Sequence, residues 1–201
     1  MSQLILMRHG QSEWNLQNRF TGFKDVKLTE AGEAEARAAG EKLKAANIMP
    51  DSVFTSTLER AWRTAELALQ SAGYNLPLQK FDDLRERDYG DLTGLNKAET
   101  AEKYGEEQVH IWRRSYDIAP PAGESLSDVV GRVEPFFLDH IQPLLIADQT
   151  VMIAAHGNSL RALLIVLGIY TPDNIQHAEI PTGAPLLVNF EAGVATTHDY
   201  L

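Results

Sequence analysis

Two histidines in this sequence share one local context. "LILMRHGQSEWN" begins at Leu4 and "VMIAAHGNSLR" begins at Val151, and each apolar run ends on a histidine followed by glycine: His9–Gly10 and His156–Gly157. A neutral imidazole accepts a phosphoryl group well when one ring nitrogen is fixed by a hydrogen bond and the other keeps its lone pair. A second imidazole, if protonated, stabilises the equatorial oxygens of the phosphoryl in transfer. Arg8 and Arg161 lie beside the two histidines in sequence, and Arg60 opens a predicted helix. Forked guanidinium donors and helix N-termini suit a tetrahedral oxyanion. His9, His156 and Glu86 could instead ligate zinc, but the cations crowded around them oppose a divalent ion. Neither "GQSE" nor "HGNS" completes the turn that a serine nucleophile needs.

This chemistry requires the two histidines to meet. Ligands of parallel α/β sheets bind beyond the carboxyl ends of the strands, so the two apolar runs must be neighbouring parallel strands. Gln3–Met7 and Thr150–Ala155 read as those strands, with "SVFTS" and "LPLQKF" as two more. Helices are expected over Glu30–Ala46, with Thr29 as N-cap and Glu30 and Glu33 at the positive end, over Leu58–Ala72, and from Ser159 to Leu167. Ser125 with Asp128 resembles a capping box opening a long helix, which Pro135 should kink or divide. "APLLVNFE" and "VATTHDY" read as a hairpin around Gly193. Strands alternating with helices predict a three-layer α/β/α sandwich with a mainly parallel sheet. The helices between Leu92 and Tyr116 follow one another without a strand and should form a cap, with a Pro/Gly loop "IAPPAGES" after them. The expectation is a single domain over 1–201 whose segment 92–124 is the cap.

Composition narrows the partners. The 201 residues carry a formal charge of −10, which repels nucleic acid and anionic membranes, so any bound anion must be held by a local cluster of cations. Hydrophobic residues make up 44%, enough for a full core, and no apolar run approaches the roughly 18 residues of a membrane span. The opening "MSQLILMRHG" lacks the basic start and cleavage site of a secretory signal, and cysteine is absent. A cytoplasmic location is expected.

"LMRHGQSEWN" with "RFTG" resembles the histidine phosphatase superfamily. "LRERDYGDLTGLNKAETAEKYGEEQVHIWRRSYDIAPP", "GESL", "VMIAAHGNSLR" and "IPTGAPL" narrow the likeness to its cofactor-dependent phosphoglycerate mutases. The resemblance implies a phosphorylated nucleophile at His9, with Arg8, Arg60 and His156 around its phosphoryl group. It implies Glu86 as proton donor and acceptor, and Asn15, Thr21, Gly22, Gly157 and Asn158 in the phosphoryl pocket. Tyr89, Lys97, Arg113 and Arg114 match substrate-binding positions. It also implies 2,3-bisphosphoglycerate as primer, no metal, phosphoglycerates as substrates, and a monomer or a homo-oligomer such as a dimer. By composition alone "WRRSY" is a solvated helix face and "RERD" a surface charge run; the roles come from the resemblance. The sequence departs from the family's pattern twice. Pro121 runs almost straight into Gly123, where such mutases often carry an insertion that can contribute to subunit contacts. Many also continue in a mobile tail beyond the last strand, whereas this sequence stops at Leu201. Incomplete closure is therefore expected, with some bisphosphoglycerate phosphatase leakage well below the mutase rate.

Overall fold

A computed structural model describes residues 2–201, so Met1, which the single-domain expectation includes, lies outside the described residues. Six strands form one sheet: β1 (Ser2–Arg8), β2 (Ser52–Ser56), β3 (Leu78–Phe81), β4 (Thr150–Ala155), β5 (Pro185–Glu191) and β6 (Val194–Tyr200). Their order is β3-β2-β4-β1-β5-β6. The first four in that order run parallel, and β5 and β6 are antiparallel additions. β1 and β4 lie at the centre, where both faces are covered. That is why they read as continuous apolar runs and not as alternating patterns. Leu4, Ile5, Leu6 and Met7 are all buried, as are Val151 through Ala155. The edge strand β6 is almost wholly exposed, and its polar "TTHDY" suits an edge.

The helices are α1 (Glu13–Leu16), α2 (Glu30–Ala45), α3 (Glu59–Ala72), α4 (Lys97–Tyr104), α5 (Glu106–Arg114), α6 (Leu126–Phe136), α7 (Gln142–Ile146) and α8 (Gly157–Val166). On one face Ile5, Met7, Val53 and Met152 meet Ala39 and Leu43 of α2 and Ala65, Ala68 and Leu69 of α3. On the other, Leu4, Leu6, Phe54 and Ile153 meet Val129 and Val133 of α6 and Leu160 and Leu163 of α8. The three expected layers are present. Each large aliphatic side chain buried here contributes roughly 1.5–3 kcal/mol. Gly40 lets α2 lie directly on α3, because a Cβ there would come within 2.1 Å of the Ala68 carbonyl. α4 and α5 stand apart from both layers, on a small cluster of Phe20, Leu92 and Val109.

Several helix ends follow their caps. The Thr29 side chain accepts from Gly32 N–H, and Ser125 and Asp128 close a capping box. The hairpin turn is Ala192–Gly193, both at positive φ, which the twist of two-residue hairpins demands. Two details differ from expectation. Ser12 and Asn15 form a capping box for the unforeseen one-turn helix α1. α8 starts at Gly157, two residues early, because His156 takes the N-cap position and its N–H bonds Ser159 Oγ at 3.1 Å. Gly157 and Asn158 are weak helix formers, but the first turn demands little of them, since its N–H groups have no intrahelical partner. As expected, Pro135 divides the long helix, without breaking its path: α6 passes into a π-helical turn, Phe137–Ile141, before α7. Among the described residues no helix is long and apolar enough to cross a membrane.

Candidate active site

β1 pairs with β4 in parallel with Arg8 opposite Ala155, and His9 N–H extends the ladder to the Ala155 carbonyl at 3.0 Å. The two histidines therefore leave the sheet side by side. Their ring centroids are 5.0 Å apart, and both rings are buried. His9 Nδ1 lies 2.7 Å from the Gly10 carbonyl, which can only accept, so this nitrogen carries the proton and Nε2 keeps the lone pair. Burial, then the charges of Arg60 and Arg8, hold His9 well below its ordinary pKa and keep the imidazole neutral. His156 is likewise held low, by burial, Arg60 and His9. Its Nε2 lies 2.6 Å from Ser56 Oγ, which also accepts from Leu58 N–H. Ser56 Oγ keeps one proton and one lone pair for this contact, so it can donate to Nε2 or accept from it. His156 is neutral in this resting site; a phosphoryl dianion beside it would favour the protonated form.

His156 Nδ1 is buried with no partner, and so are Nε of Arg8, Arg60 and Arg161. An unmet buried donor costs about 1–3 kcal/mol, so three such guanidinium nitrogens in one region call for an anion. Arg60 is gripped from behind: Nη1 donates to the Lys24 carbonyl at 2.9 Å and Nη2 to the Gly22 carbonyl at 3.0 Å. Burial lowers its pKa to about 10, so it remains charged at neutral pH. Gly22 thus serves through its carbonyl. Its φ of +54° and the Tyr89 backbone N, 3.1 Å from where a Cβ would sit, both favour glycine.

Glu86 is buried in a stretch without helix or strand. Its Oε1 accepts from Arg87 N–H at 2.9 Å and from Asn158 N–H, in the first turn of α8, at 3.0 Å. Burial alone would raise its pKa. The Arg87 hydrogen bond, Arg60, Arg8 and the Asn158 hydrogen bond outweigh burial and leave the carboxylate ionised. Tyr89 Oη accepts from Asn158 Nδ2 at 3.2 Å.

A cavity of about 130 Å³ opens above this floor, lined by Arg8, Asn15, Thr21, Glu86, Tyr89, Gly157 and Asn158 and, from the α4–α5 side, by Lys97, Arg113 and Arg114. Lys97 occupies the first position of α4, where the helix dipole disfavours a cation by about 0.3–1 kcal/mol. Burial also lowers its pKa. Of the predicted site residues, ten line the cavity, while His9, His156, Arg60 and Gly22 are not among its lining residues. Arg19 and Arg161 line it too. Arg161 stood out in sequence only as a neighbour of His156, and its Nη1 would lie 3.3 Å from a Cβ on Gly157. Arg19 had a single signal, its place two residues before Thr21. His9, His156 and Glu86 do not assemble as metal ligands; among the described residues no group of three such side chains could hold a metal ion.

Two neighbouring parallel strands that end on histidine, ringed by unpaired guanidinium nitrogens, define a protein of the histidine phosphatase class. The family pattern of the histidine phosphatase superfamily (branch 1) matches residues 4–200, and the chain belongs to that family. It is 55% identical to the 2,3-bisphosphoglycerate-dependent phosphoglycerate mutase of Bartonella quintana, over 94% of this chain and 92% of that protein. It is 52% identical to the protein of the same name from Rhodopseudomonas palustris, over 98% and 96%. Among solved structures it is similar to a mycobacterial glucosyl-3-phosphoglycerate phosphatase in complex with VO3 (TM-score 0.81, 29% identity, 93% of this chain and 92% of that one). It is also similar to the α-ribazole phosphatase of Shigella flexneri (TM-score 0.81, 25% identity, 96% and 93%).

Proposed function

We propose that the chain is a cofactor-dependent phosphoglycerate mutase that interconverts 3-phosphoglycerate and 2-phosphoglycerate through phospho-His9, in glycolysis and gluconeogenesis. The observation that carries this reading is the division of cations into two groups around one cavity. Arg8 and Arg60, beside the two neutral histidines, form the first set, and each has a buried Nε without a partner. Lys97, Arg113 and Arg114 form a second set on α4 and α5. A phosphoglycerate is anionic at both ends and needs both sets. The relatives at 52% and 55% identity carry the mutase name.

2,3-Bisphosphoglycerate supplies, when bound, the phosphoryl group that charges His9. His9 Nε2 attacks phosphorus while its Nδ1–H stays on the Gly10 carbonyl. Nε of Arg8 and of Arg60, and Nδ1 of His156 once protonated, are the free donors for the phosphoryl oxygens. Such preorganised donors act where charge builds up in the transition state. Glu86, ionised, takes the proton of the substrate hydroxyl as that oxygen bonds to phosphorus and the P–N bond to His9 breaks. Lys97, Arg113 and Arg114 hold whichever end is not at His9, so a turned bisphosphate presents its other phosphoryl to the same imidazole. Glu86 then returns the proton to the oxygen left behind. No step uses a metal.

The chain is further proposed to act in the cytoplasm as a single domain, with segment 92–124 as cap, without nucleic-acid or membrane partners, as a monomer or homo-oligomer. A phosphatase on the same scaffold is the second reading, favoured by the names of the structural neighbours at 25–29% identity. One assay decides: 3-phosphoglycerate primed with bisphosphoglycerate. A mutase forms 2-phosphoglycerate with little inorganic phosphate, whereas a phosphatase releases phosphate in proportion to substrate lost.

A further inference from the structure

Glu86 sits in a segment, Arg85–Tyr89, that belongs to no helix or strand. Something other than backbone ladders must fix it, because a proton acceptor displaced by about 1 Å loses up to 10²-fold in rate. The "GESL" segment, which the proposed mechanism leaves unused, supplies the answer. Arg132 on α6 donates from Nη1 to the carbonyls of Asp83 and Arg85, the latter at 3.0 Å, and from Nη2 to the carbonyl of Glu86 at 3.0 Å. Glu124 holds the same guanidinium through both oxygens, Oε1 with Nε at 3.1 Å and Oε2 with Nη2 at 3.0 Å. Glu124 also grips the far side of Glu86: its Oε2 accepts from Asp88 N–H at 2.8 Å, and its own N–H donates to the Asp88 carbonyl at 2.9 Å.

We propose that the Arg132–Glu124 pair is a clamp that positions Glu86 for proton transfer; the inference rests on the acid–base role assigned to Glu86 above. Neither residue is in contact with the cavity, so both are positioning residues. The pair suits this role. Its side chains are only 19% and 23% exposed, so it is no freely solvated surface pair. Its base is stiff: Ser125 and Asp128 cap α6 directly after Glu124, and Val129 and Val133 anchor the helix on the sheet. The planar fork reaches three carbonyls and a carboxylate at once, which a lysine ammonium on a single point cannot do.

The test is a mutant cycle on the full chain with Arg132→Met, Arg132→Lys, Glu86→Gln and the Arg132→Met/Glu86→Gln double variant. Primed mutase kinetics are measured for each, with vanadate binding as a probe of the phosphoryl pocket. Arg132→Met is expected to lower kcat about 10–100-fold, with KM for 3-phosphoglycerate and vanadate affinity each within about threefold of wild type. Arg132→Lys should do little better. In the Glu86→Gln background Arg132→Met should cost less than about threefold more, because the group it positions is already gone. Equal losses of kcat and vanadate affinity, or full additivity in the double variant, overturn the clamp. A near wild-type Glu86→Gln enzyme overturns the role of Glu86 itself. An impaired Glu86→Gln with an unimpaired Arg132→Met overturns the clamp alone. Should Arg132→Met not fold, Glu124→Gln takes its place in the cycle, with the same pattern expected at smaller size and the same additivity overturning the proposal.

Discussion

On the proposed reading, the floor of the cavity and its α4–α5 side hold anions by different physics. On the floor, His9, His156 and Arg60 are 2%, 0% and 1% exposed and are fixed by the central strands, the first turn of α3 and backbone carbonyls. On the α4–α5 side, Lys97, Arg113 and Arg114 come from two short helices resting on a three-residue cluster; Lys97 and Arg114 are partly buried and Arg113 is exposed. The floor can hold one geometry, suited to an in-line phosphoryl transfer that repeats at the same nitrogen. The α4–α5 side offers charge on long, rotatable stems. It can accept either a carboxylate or a phosphoryl group as the substrate turns. Catalysis should therefore be brittle at the floor and graded at the α4–α5 side.

The strongest way to break this contrast is at His9. His9→Ala should abolish mutase turnover, measured in the primed assay, since His9 Nε2 is the proposed attacking atom and alanine leaves nothing in its place. Substantial residual turnover would remove the floor from the mechanism. Glu86→Gln should cut the chemical step by about 10²–10⁴-fold, the usual range for a general acid–base, while the melting temperature stays near that of wild type. Pre-steady-state kinetics report the step directly. On the α4–α5 side, Arg113→Ala and Arg114→Ala should each raise KM for phosphoglycerate about tenfold while sparing hydrolysis of a small generic phosphate ester. Equal losses on both substrates would mean that these arginines serve the phosphoryl pocket as well, and the two regions would not be distinct.

The smallest effect concerns stability. Burial, then Arg60, holds His9 well below 6.5, and the same two causes come first for His156. The unfolded chain takes up these protons below about pH 6.5 and the folded chain does not. The stability they confer is thus complete above that pH and is lost as pH falls from 6.5 toward the folded-state values. The slope is up to about 1.4 kcal/mol per pH unit for each histidine. His9→Ala should flatten the fall in melting temperature between pH 6.5 and 5.5; an unchanged slope would show that His9 is not held neutral by the fold.

Much of this was legible in the sequence because the relevant signals are local. An apolar run with no alternation means a strand covered on both faces, and a histidine at its end must lie at the sheet's ligand-binding edge. Thr29 and Ser125 announced their helices by cap chemistry. The start of α8 was misplaced because Gly157 and Asn158 look like loop residues, although a first turn tolerates them. Arg132 was invisible for another reason. In "GRVEP" it reads as the solvated side of a helix, and its partners at Asp83, Arg85 and Glu86 are backbone carbonyls 46 to 49 positions away. No pattern of side chains marks a carbonyl acceptor. Arg161 was legible as the sequence neighbour of His156, whereas Arg19 was missed as a cavity residue, since no strand-end histidine stands beside it.

The central claim is that His9 Nε2 carries the phosphoryl group between two orientations of one substrate. Its most direct measurement uses enzyme charged with ³²P-labelled 2,3-bisphosphoglycerate, mapped by peptide and then chased with unlabelled 3-phosphoglycerate. The account predicts acid-labile, base-stable label on the peptide containing His9, leaving within one turnover into bisphosphoglycerate and 2-phosphoglycerate. Label on the His156 peptide, or turnover with no labelled enzyme at all, would contradict it.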